Sequence, residues 1–285
     1  MSLWQALVLG LIQGLTEFIP ISSTAHLTLA GNAMGLISRD HPEEWTAFIA
    51  VTQLGTLLAV VVYFWSDIGR IVHGFVTGNV AALRKRSVHH SVRQSTRLGW
   101  LIIVGTIPIS IAGLTLRQVI EGELTKDPWV IAGSLLGVAV MLTVAEVLAT
   151  QRRDMTGLKL SDAVVVGIAQ AFALIPGSSR SGTTITGGLL AGLTRETAAR
   201  FSFLLSIPAI FASGLLELPK AVHSIGTNWP ALALATTVSA ISGYASIAFL
   251  LRYLQRHTTF LFVAYRLLLG VVLVALLVSG TMSAR

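Results

Sequence analysis

The chain has no cysteine, and only 12% of its 285 residues are charged. The first absence excludes disulfides, thiolate metal sites and a thiol nucleophile. The second excludes an ordinary soluble domain, which would carry about twice that charged fraction. The opening residues, MSLWQALVLGL, lack a basic start and a small-residue cleavage site, so no cleavable signal is expected. Acidic residues are scarcer than basic ones, 13 against 20, leaving a net charge of +7. The basic residues lie between apolar runs, which makes them orientation signals and contacts for anionic membrane lipids. No nucleic-acid partner is expected.

What is plentiful is apolar surface: 53% of residues, with a mean hydropathy of +0.76. Runs at 48–66, 98–116, 129–149, 201–218, 230–250 and 259–279 approach the roughly 20 residues a transmembrane helix needs. The expected fold class is an all-α polytopic membrane protein with six transmembrane helices. Pro208 inside one run is tolerable as a kink. Gly133, Gly137, Gly243 and Ala248 are expected to pack helix against helix. Phe201 and Phe203 are expected in the packing, and Gln53 in a bond between helices.

Charge sorts the connecting segments. Segment 67–97 holds Arg70, Arg84, Lys85, Arg86, Arg93 and Arg97, segment 150–160 holds Arg152, Arg153 and Lys159, and segment 251–258 holds Arg252 and Arg256. The opposing segments 117–128 and 219–229 offer only Arg117, Lys126 and Lys220. The positive-inside rule places the first set in the cytoplasm and both termini outside. Cysteines placed at Ser87 and His223 should then label from opposite sides.

Two stretches remain, 1–47 and 161–200, and each must start and finish on one side. Each has an apolar run, a polar break containing proline, and a second short apolar run. That pattern predicts re-entrant helical hairpins whose irregular backbone lines a cavity. Gln13-GLTEFI-Pro20-Ile-Ser22-Ser23-Thr24 aligns with Gln170-AFALI-Pro176-Gly-Ser178-Ser179-Arg180 with one gap. A hairpin and three spans, repeated upside down, predict one membrane domain over 1–285, with repeats at about 1–150 and 151–285.

The second break, PGSSRSGTT from Pro176 to Thr184, places an arginine between two apolar half-helices. A cation at that depth is costly and marks a function. Its planar fork suits phosphate or carboxylate, glycines admit a ligand to the backbone, and the helix that follows offers its N-terminus. The plainer alternative is a helix break whose arginine pairs with an acid such as Glu17. The first break supplies Gln13 and Glu17 on one helix face, then Ser22, Ser23, Thr24 and His26. A helix starting near Ser22 is expected to set Ser23 beside His26, a hydroxyl next to an imidazole. A nearby carboxylate would orient the histidine or hold a divalent cation. Its plainer alternative is an ordinary hydroxyl N-cap. Glu146 and Arg266 are expected to snorkel or to form a structural pair. His73, His89 and His90 are expected in solvent.

At these residues the chain resembles the bacterial undecaprenyl-diphosphate phosphatases, the bacitracin-resistance protein family. One signature stands as Gln13-GLT-Glu17 followed by Pro20-Ile-Ser22-Ser23-Thr24-Ala-His26, the other as the full run from Pro176 to Thr184. The resemblance implies hydrolysis of undecaprenyl diphosphate to undecaprenyl phosphate in the bacterial plasma membrane, with a site opening outward and magnesium or calcium as cofactor. It implies Ser23 as nucleophile, His26 as proton-transfer partner, Glu17 as metal ligand or orienting group, and Arg180 as the diphosphate clamp. Ser22, Thr24, Ser179, Ser181 and Thr184 would donate to the substrate, and Gln13 would assist. The implied partners are a polyprenyl diphosphate and membrane lipids, with a homodimer as a candidate assembly. The competing class is a secondary transporter or lipid flippase on the same inverted repeat. Transport alone has no need of the trio Glu17, Ser23 and His26. A further rival, the acid phosphatase type with two separated histidines and another Lys/Arg set, lacks its motif here.

Overall fold

The computed structural model describes residues 1–38, 40–225 and 229–280. Twelve α-helices dominate these residues. No β-strand is among them, the one extended pairing being a bridge between Arg153 and Leu193. A first helical hairpin, α1 (Leu3–Glu17) and α2 (Ser23–Ala33), precedes α3 (Pro42–Tyr63), α4 (Trp65–Leu83), α5 (His90–Thr115), the short α6 (Arg117–Glu121) and α7 (Pro128–Leu148). A second hairpin, α8 (Leu160–Ala171) and α9 (Arg180–Leu190), precedes α10 (Arg195–Ile225), α11 (Trp229–Leu254) and α12 (Phe260–Val278).

Six helices, α3, α5, α7, α10, α11 and α12, are long and apolar enough to cross a bilayer, and they coincide with the six runs in the sequence. The chain is an all-α, multi-pass membrane protein. Helix ends differ from the apolar runs where charged turns extend a helix: α5 starts at His90 and α10 at Arg195. Such turns are too polar to count as span, yet they satisfy their backbone as helix.

Segment 67–97 is mostly helical rather than a loop. Val72, Val76 and Val80 of α4 are exposed at intervals of four, while Gly74 and Gly78 lie against Ser95 and Thr96 of α5. Two opposite faces therefore stabilise a helix that charge counting treats as a connection. Segment 219–229 is not simply a loop either: α10 continues to Ile225, and the His223 side chain lies outside the described residues.

Small residues bring the hairpins against the spans. A Cβ on Gly14 of α1 would come within 2.0 Å of Ser242 Oγ on α11, and one on Gly167 of α8 within 2.4 Å of Gly105 O on α5. Gly243 also faces close neighbours, including Phe18. Gly133 and Gly137 do not pack as expected: nothing lies within 4 Å of either added Cβ, because they sit on the outward face of α7. Phe201 and Phe203 are buried as expected, and Phe203 meets Phe18 edge-on at 5.1 Å, fixing α10 beneath the end of the first hairpin's leading helix.

Candidate active site

Each hairpin breaks for a local reason. Pro20, and the Pro176-Gly177 pair, interrupt the helical ladder, and a serine then caps the helix that restarts. Ser22 accepts from Ala25 N–H at 3.3 Å, and Ser179 from Gly182 N–H at 3.1 Å. Both caps are left-handed, at φ 77° and 68°, a conformation that non-glycine residues adopt at a cost of about 1–3 kcal/mol. This shared geometry shifts the register expected between the halves. Ser22 corresponds to Ser179 rather than to Ser178, so Ser23 and Arg180 each begin a helix. Both helices run 11 residues and present their N-terminal dipoles beside these two side chains.

The two hairpins meet at Glu17. Its Oε1 accepts from the Arg180 guanidinium across the gap. Its Oε2 accepts from Ser23 Oγ at 2.6 Å and from Gln13 Nε2 at 2.8 Å. The Glu17 side chain is 3% exposed and that of Arg180 is 15% exposed. The plainer alternative for the arginine, pairing with Glu17, is thus the arrangement found. It links the first break to the second without filling the rest of the arginine's donor fork.

The expected pairing of Ser23 with His26 is not formed. The Ser23 hydroxyl turns to the charged carboxylate, the stronger acceptor. His26 folds back over its own turn, with Nδ1 2.7 Å from Ser22 O and Nε2 2.7 Å from the Tyr265 hydroxyl. Because a carbonyl can only accept, Nδ1 carries the proton and Nε2 accepts from Tyr265. The basic nitrogen of the neutral ring therefore faces α12 rather than Ser23.

A cavity of about 440 Å³ opens from this cluster. Glu17, Ser23, Thr24 and Arg180 line one end, and Arg117, Glu121, Thr125 and Lys126 line the other. Between them the wall is largely apolar, with Ile49, Ile109, Leu174, Ala209 and Leu216. Gln53, expected to bond between helices, also lines it. At the far end Lys126 Nζ donates to Thr46 Oγ1 at 2.8 Å, Glu121 O at 2.7 Å and Gly122 O at 3.0 Å. Burial pushes the Lys126 ammonium down to about 8, against the opposing pull of Glu43 and Glu121.

The other expected donors do not line this cavity. Ser22 and Ser179 are the caps just described. Ser181 Oγ donates to Ile19 O at 3.2 Å and to Glu17 O at 3.4 Å, stitching the hairpins together. Thr184 is tied to Arg180 O at 2.6 Å and to Ser202 Oγ at 2.5 Å. Their hydroxyls compete for bare helix-end and loop groups, and those needs come first in a buried setting.

Among the described residues no three His, Asp or Glu side chains gather as a metal site. The oxygen donors beside the cluster are the Glu17 carboxylate, Ser23 Oγ and Gln13 Oε1. The last is buried and has no hydrogen-bond partner. This is a set of hard oxygens around a single carboxylate. It suits a cation completed by phosphate oxygens better than an all-protein cage.

Two residues of α12 escape the sequence reading. Tyr265 reaches His26 and carries no motif. Arg266 was expected to snorkel or pair with an acid, but it is 0% exposed and bonds only to backbone carbonyls. The signal available was an arginine within the otherwise apolar run of α12. Glu146 is a structural partner, though of Arg195 and of Thr259 Oγ1 at 2.8 Å rather than of Arg266.

Comparison with known proteins points to a single family. The undecaprenyl-diphosphatase of Syntrophobacter fumaroxidans is 54% identical over 271 residues, covering 95% of each chain. That of Chloroherpeton thalassium is 48% identical across 100% of both chains, and that of Myxococcus xanthus is 48% identical over 99% of this chain and 92% of its own. Residues 6–272, which leave out only the start of α1 and the end of α12 among the helices, match the family described as bacitracin resistance protein BacA, and the chain belongs to that family.

Proposed function

We propose that this protein is an integral membrane phosphatase that hydrolyses undecaprenyl diphosphate to undecaprenyl phosphate and inorganic phosphate. It thereby recycles the lipid carrier of cell-wall synthesis and raises resistance to bacitracin. The observation that carries this reading is the junction of the two hairpins. One hydroxyl, one carboxylate and one arginine converge at the head of an apolar-walled cavity. The polar end suits a diphosphate, and the apolar wall suits the prenyl chain beside it.

In the resting arrangement Arg180 and Ser23 both bind Glu17. An incoming diphosphate competes for Arg180, whose planar fork fits phosphate oxygens. Releasing the arginine leaves Glu17 Oε2 on the Ser23 hydroxyl as a proton acceptor. Ser23 Oγ then attacks the terminal phosphorus. The Oγ–P bond forms as the bridging P–O bond breaks, and the electron pair departs on the lipid monophosphate. The serine proton passes to Glu17. Glu17 gives that proton to the departing lipid phosphate and then takes one from the water that attacks the phosphoserine. The new O–P bond forms as the Oγ–P bond breaks, and the proton passes back to Oγ, yielding inorganic phosphate and the free Ser23 hydroxyl. The N-termini of α2 and α9 stabilise the negative charge of the transferred group. His26 serves as a positioning group here: it holds the carbonyl of the strained Ser22 and so fixes the turn that presents Ser23. Thr24 remains a donor along the cavity wall, whereas Ser22, Ser179, Ser181 and Thr184 support the two turns from behind.

Glu17, with Gln13 Oε1 and Ser23 Oγ nearby, would hold magnesium or calcium together with the substrate. Such a cation, when bound, neutralises charge on the phosphate oxygens. The orphaned Gln13 oxygen supports this assignment.

The membrane is the bacterial plasma membrane. The basic surplus of 67–97 over 117–128 supports an outward opening, since Arg117 and Lys126 line the far end of the cavity. The matched strained caps, with α1 against α11 and α8 against α5, support an inverted repeat with both hairpins re-entrant. Phosphate release from a long-chain prenyl diphosphate by purified protein in detergent, with and without chelator, tests the activity. Release is expected, and its absence under both conditions would overturn the reading.

A further inference from the structure

All three side-chain nitrogens of Arg266 donate to backbone carbonyls. Nε donates to Leu135 O at 3.2 Å and Nη1 to Pro20 O at 3.2 Å. Nη2 reaches Ser134 O at 3.3 Å, Gly177 O at 2.9 Å and Ser178 O at 3.1 Å. Pro20 lies in the first break, Gly177 and Ser178 in the second, and Ser134 and Leu135 in α7. One guanidinium therefore ties three separate pieces of chain together.

The acceptors explain why a cation is tolerated there. Among the described residues, no backbone N–H reaches the carbonyls of Pro20, Gly177 or Ser178, and no carboxylate pairs with Arg266. Breaking two helices in an apolar setting leaves such carbonyls bare, which is costly unless a donor is supplied. Charge-assisted bonds from an arginine supply it with more strength than neutral donors would. The surroundings are built around the group: a Cβ on Gly182, in the first turn of α9, would come within 3.3 Å of Nη1. With 0% exposure, Arg266 does not reach the cavity.

We propose that Arg266 is a positioning residue for the phosphatase reaction. It sets the separation of the two hairpin breaks, so that Ser23 and Glu17 on one meet Arg180 on the other. This rests on the reading under Proposed function. It extends that reading by placing control of the clamp-to-nucleophile distance on α12, outside both motifs. A lysine cannot take its place, because three donors on one nitrogen cannot span three chain segments as a planar fork does.

The test uses the full-length protein in detergent. The natural chain has no cysteine, so Ile21→Cys with Ile175→Cys gives one clean spin-label pair, one label on each break. With Arg266 the interlabel distance distribution should be narrow, and with Arg266→Lys or Arg266→Gln it should broaden. In label-free protein, kcat should fall at least tenfold in either variant, with KM changed far less. Arg180→Lys combined with Arg266→Lys should lose much less than the product of the two single losses, because both act on one geometry. Leu273→Ala, in the same buried face of α12, is the control: it should lower Tm while kcat per folded molecule stays normal. If Arg266→Lys does not fold, Arg266→Gln carries the measurement. An unchanged distance distribution, or variants that only lower Tm as Leu273→Ala does, would overturn the proposal. Failure of the wild type to release phosphate would instead overturn the proposed activity, and the distance measurement would still decide the role of Arg266.

Discussion

Glu17→Gln separates the two tasks assigned to one carboxylate. The substitution keeps size and shape but removes the charge that Arg180 and Ser23 share. In the resting protein it leaves the arginine, whose side chain is 15% exposed, without its anionic partner. Removing one member of a buried pair costs roughly 3–5 kcal/mol. A diphosphate that binds Arg180 recovers part of that cost, and every 1.4 kcal/mol recovered is about tenfold in affinity. Partial recovery predicts binding about 10- to 100-fold tighter than in the wild type. Chemistry moves the other way, because the acceptor of the Ser23 proton is gone, and kcat should drop about 10²- to 10⁴-fold. Calorimetry in chelator, where the cation-holding task of Glu17 does not enter, with a non-hydrolysable methylene analogue of the prenyl diphosphate reads the first effect, and phosphate release reads the second. Weaker binding together with lost turnover would refute the exchange of Arg180 between carboxylate and substrate. Turnover within tenfold of wild type would remove Glu17 as the acceptor.

Other substitutions separate the remaining groups. Arg180→Lys should lose most activity, at least 10²-fold in kcat/KM, because a point charge replaces a two-pronged donor; near-normal turnover would show that any cation suffices. Ser23→Ala should abolish hydrolysis while analogue binding by calorimetry stays near wild type, whereas His26→Ala should lose activity only in part, about 10-fold, through a loosened α2 turn. Equal abolition by both, with Tyr265→Phe also inactive, would return proton transfer to His26. Lys126, whose ammonium is pushed down to about 8 by burial, supplies a pH test at the cavity mouth. Its folded value lies below the ordinary 10.5, so the unfolded chain binds more protons between those values, and this group's contribution to stability is fully present above 10.5 and lost as pH falls through about 8. Acetylation of Lys126 followed by mass spectrometry should show a half-point near pH 8; a half-point near 10.5 would contradict its burial.

The spans were legible because an apolar run in a membrane has few alternative fates, and the six runs became six helices. The breaks were legible because proline, glycine and hydroxyl residues there have local meanings that do not depend on the rest of the fold. What the sequence could not rank was competition among neighbours for the same hydroxyl. Spacing put His26 near Ser23, but the choice between an imidazole and a carboxylate depends on Glu17 arriving from the preceding helix. The same competition made Ser22 and Ser179 caps and drew Ser181 and Thr184 into ties between chain segments, so the spread of donors read as an anion cradle narrowed to Thr24 and Arg180. Arg266 was missed for a different reason. Its partners are five backbone carbonyls, and carbonyls carry no residue identity for a motif to record. The helix α4 was hidden by its charges, although its valines at intervals of four were visible in the sequence.

The central claim is that the Ser23 hydroxyl attacks the phosphorus and hands its proton to Glu17. Acid quench of a single turnover with prenyl diphosphate labelled in its terminal phosphoryl group, followed by mass spectrometry of the digested protein, tests this directly. The account predicts transient label on Ser23 that decays as inorganic phosphate appears, and no label in Ser23→Ala. Full single-turnover hydrolysis by Ser23→Ala, with no label on any residue of the wild type, would contradict it and favour direct attack by water.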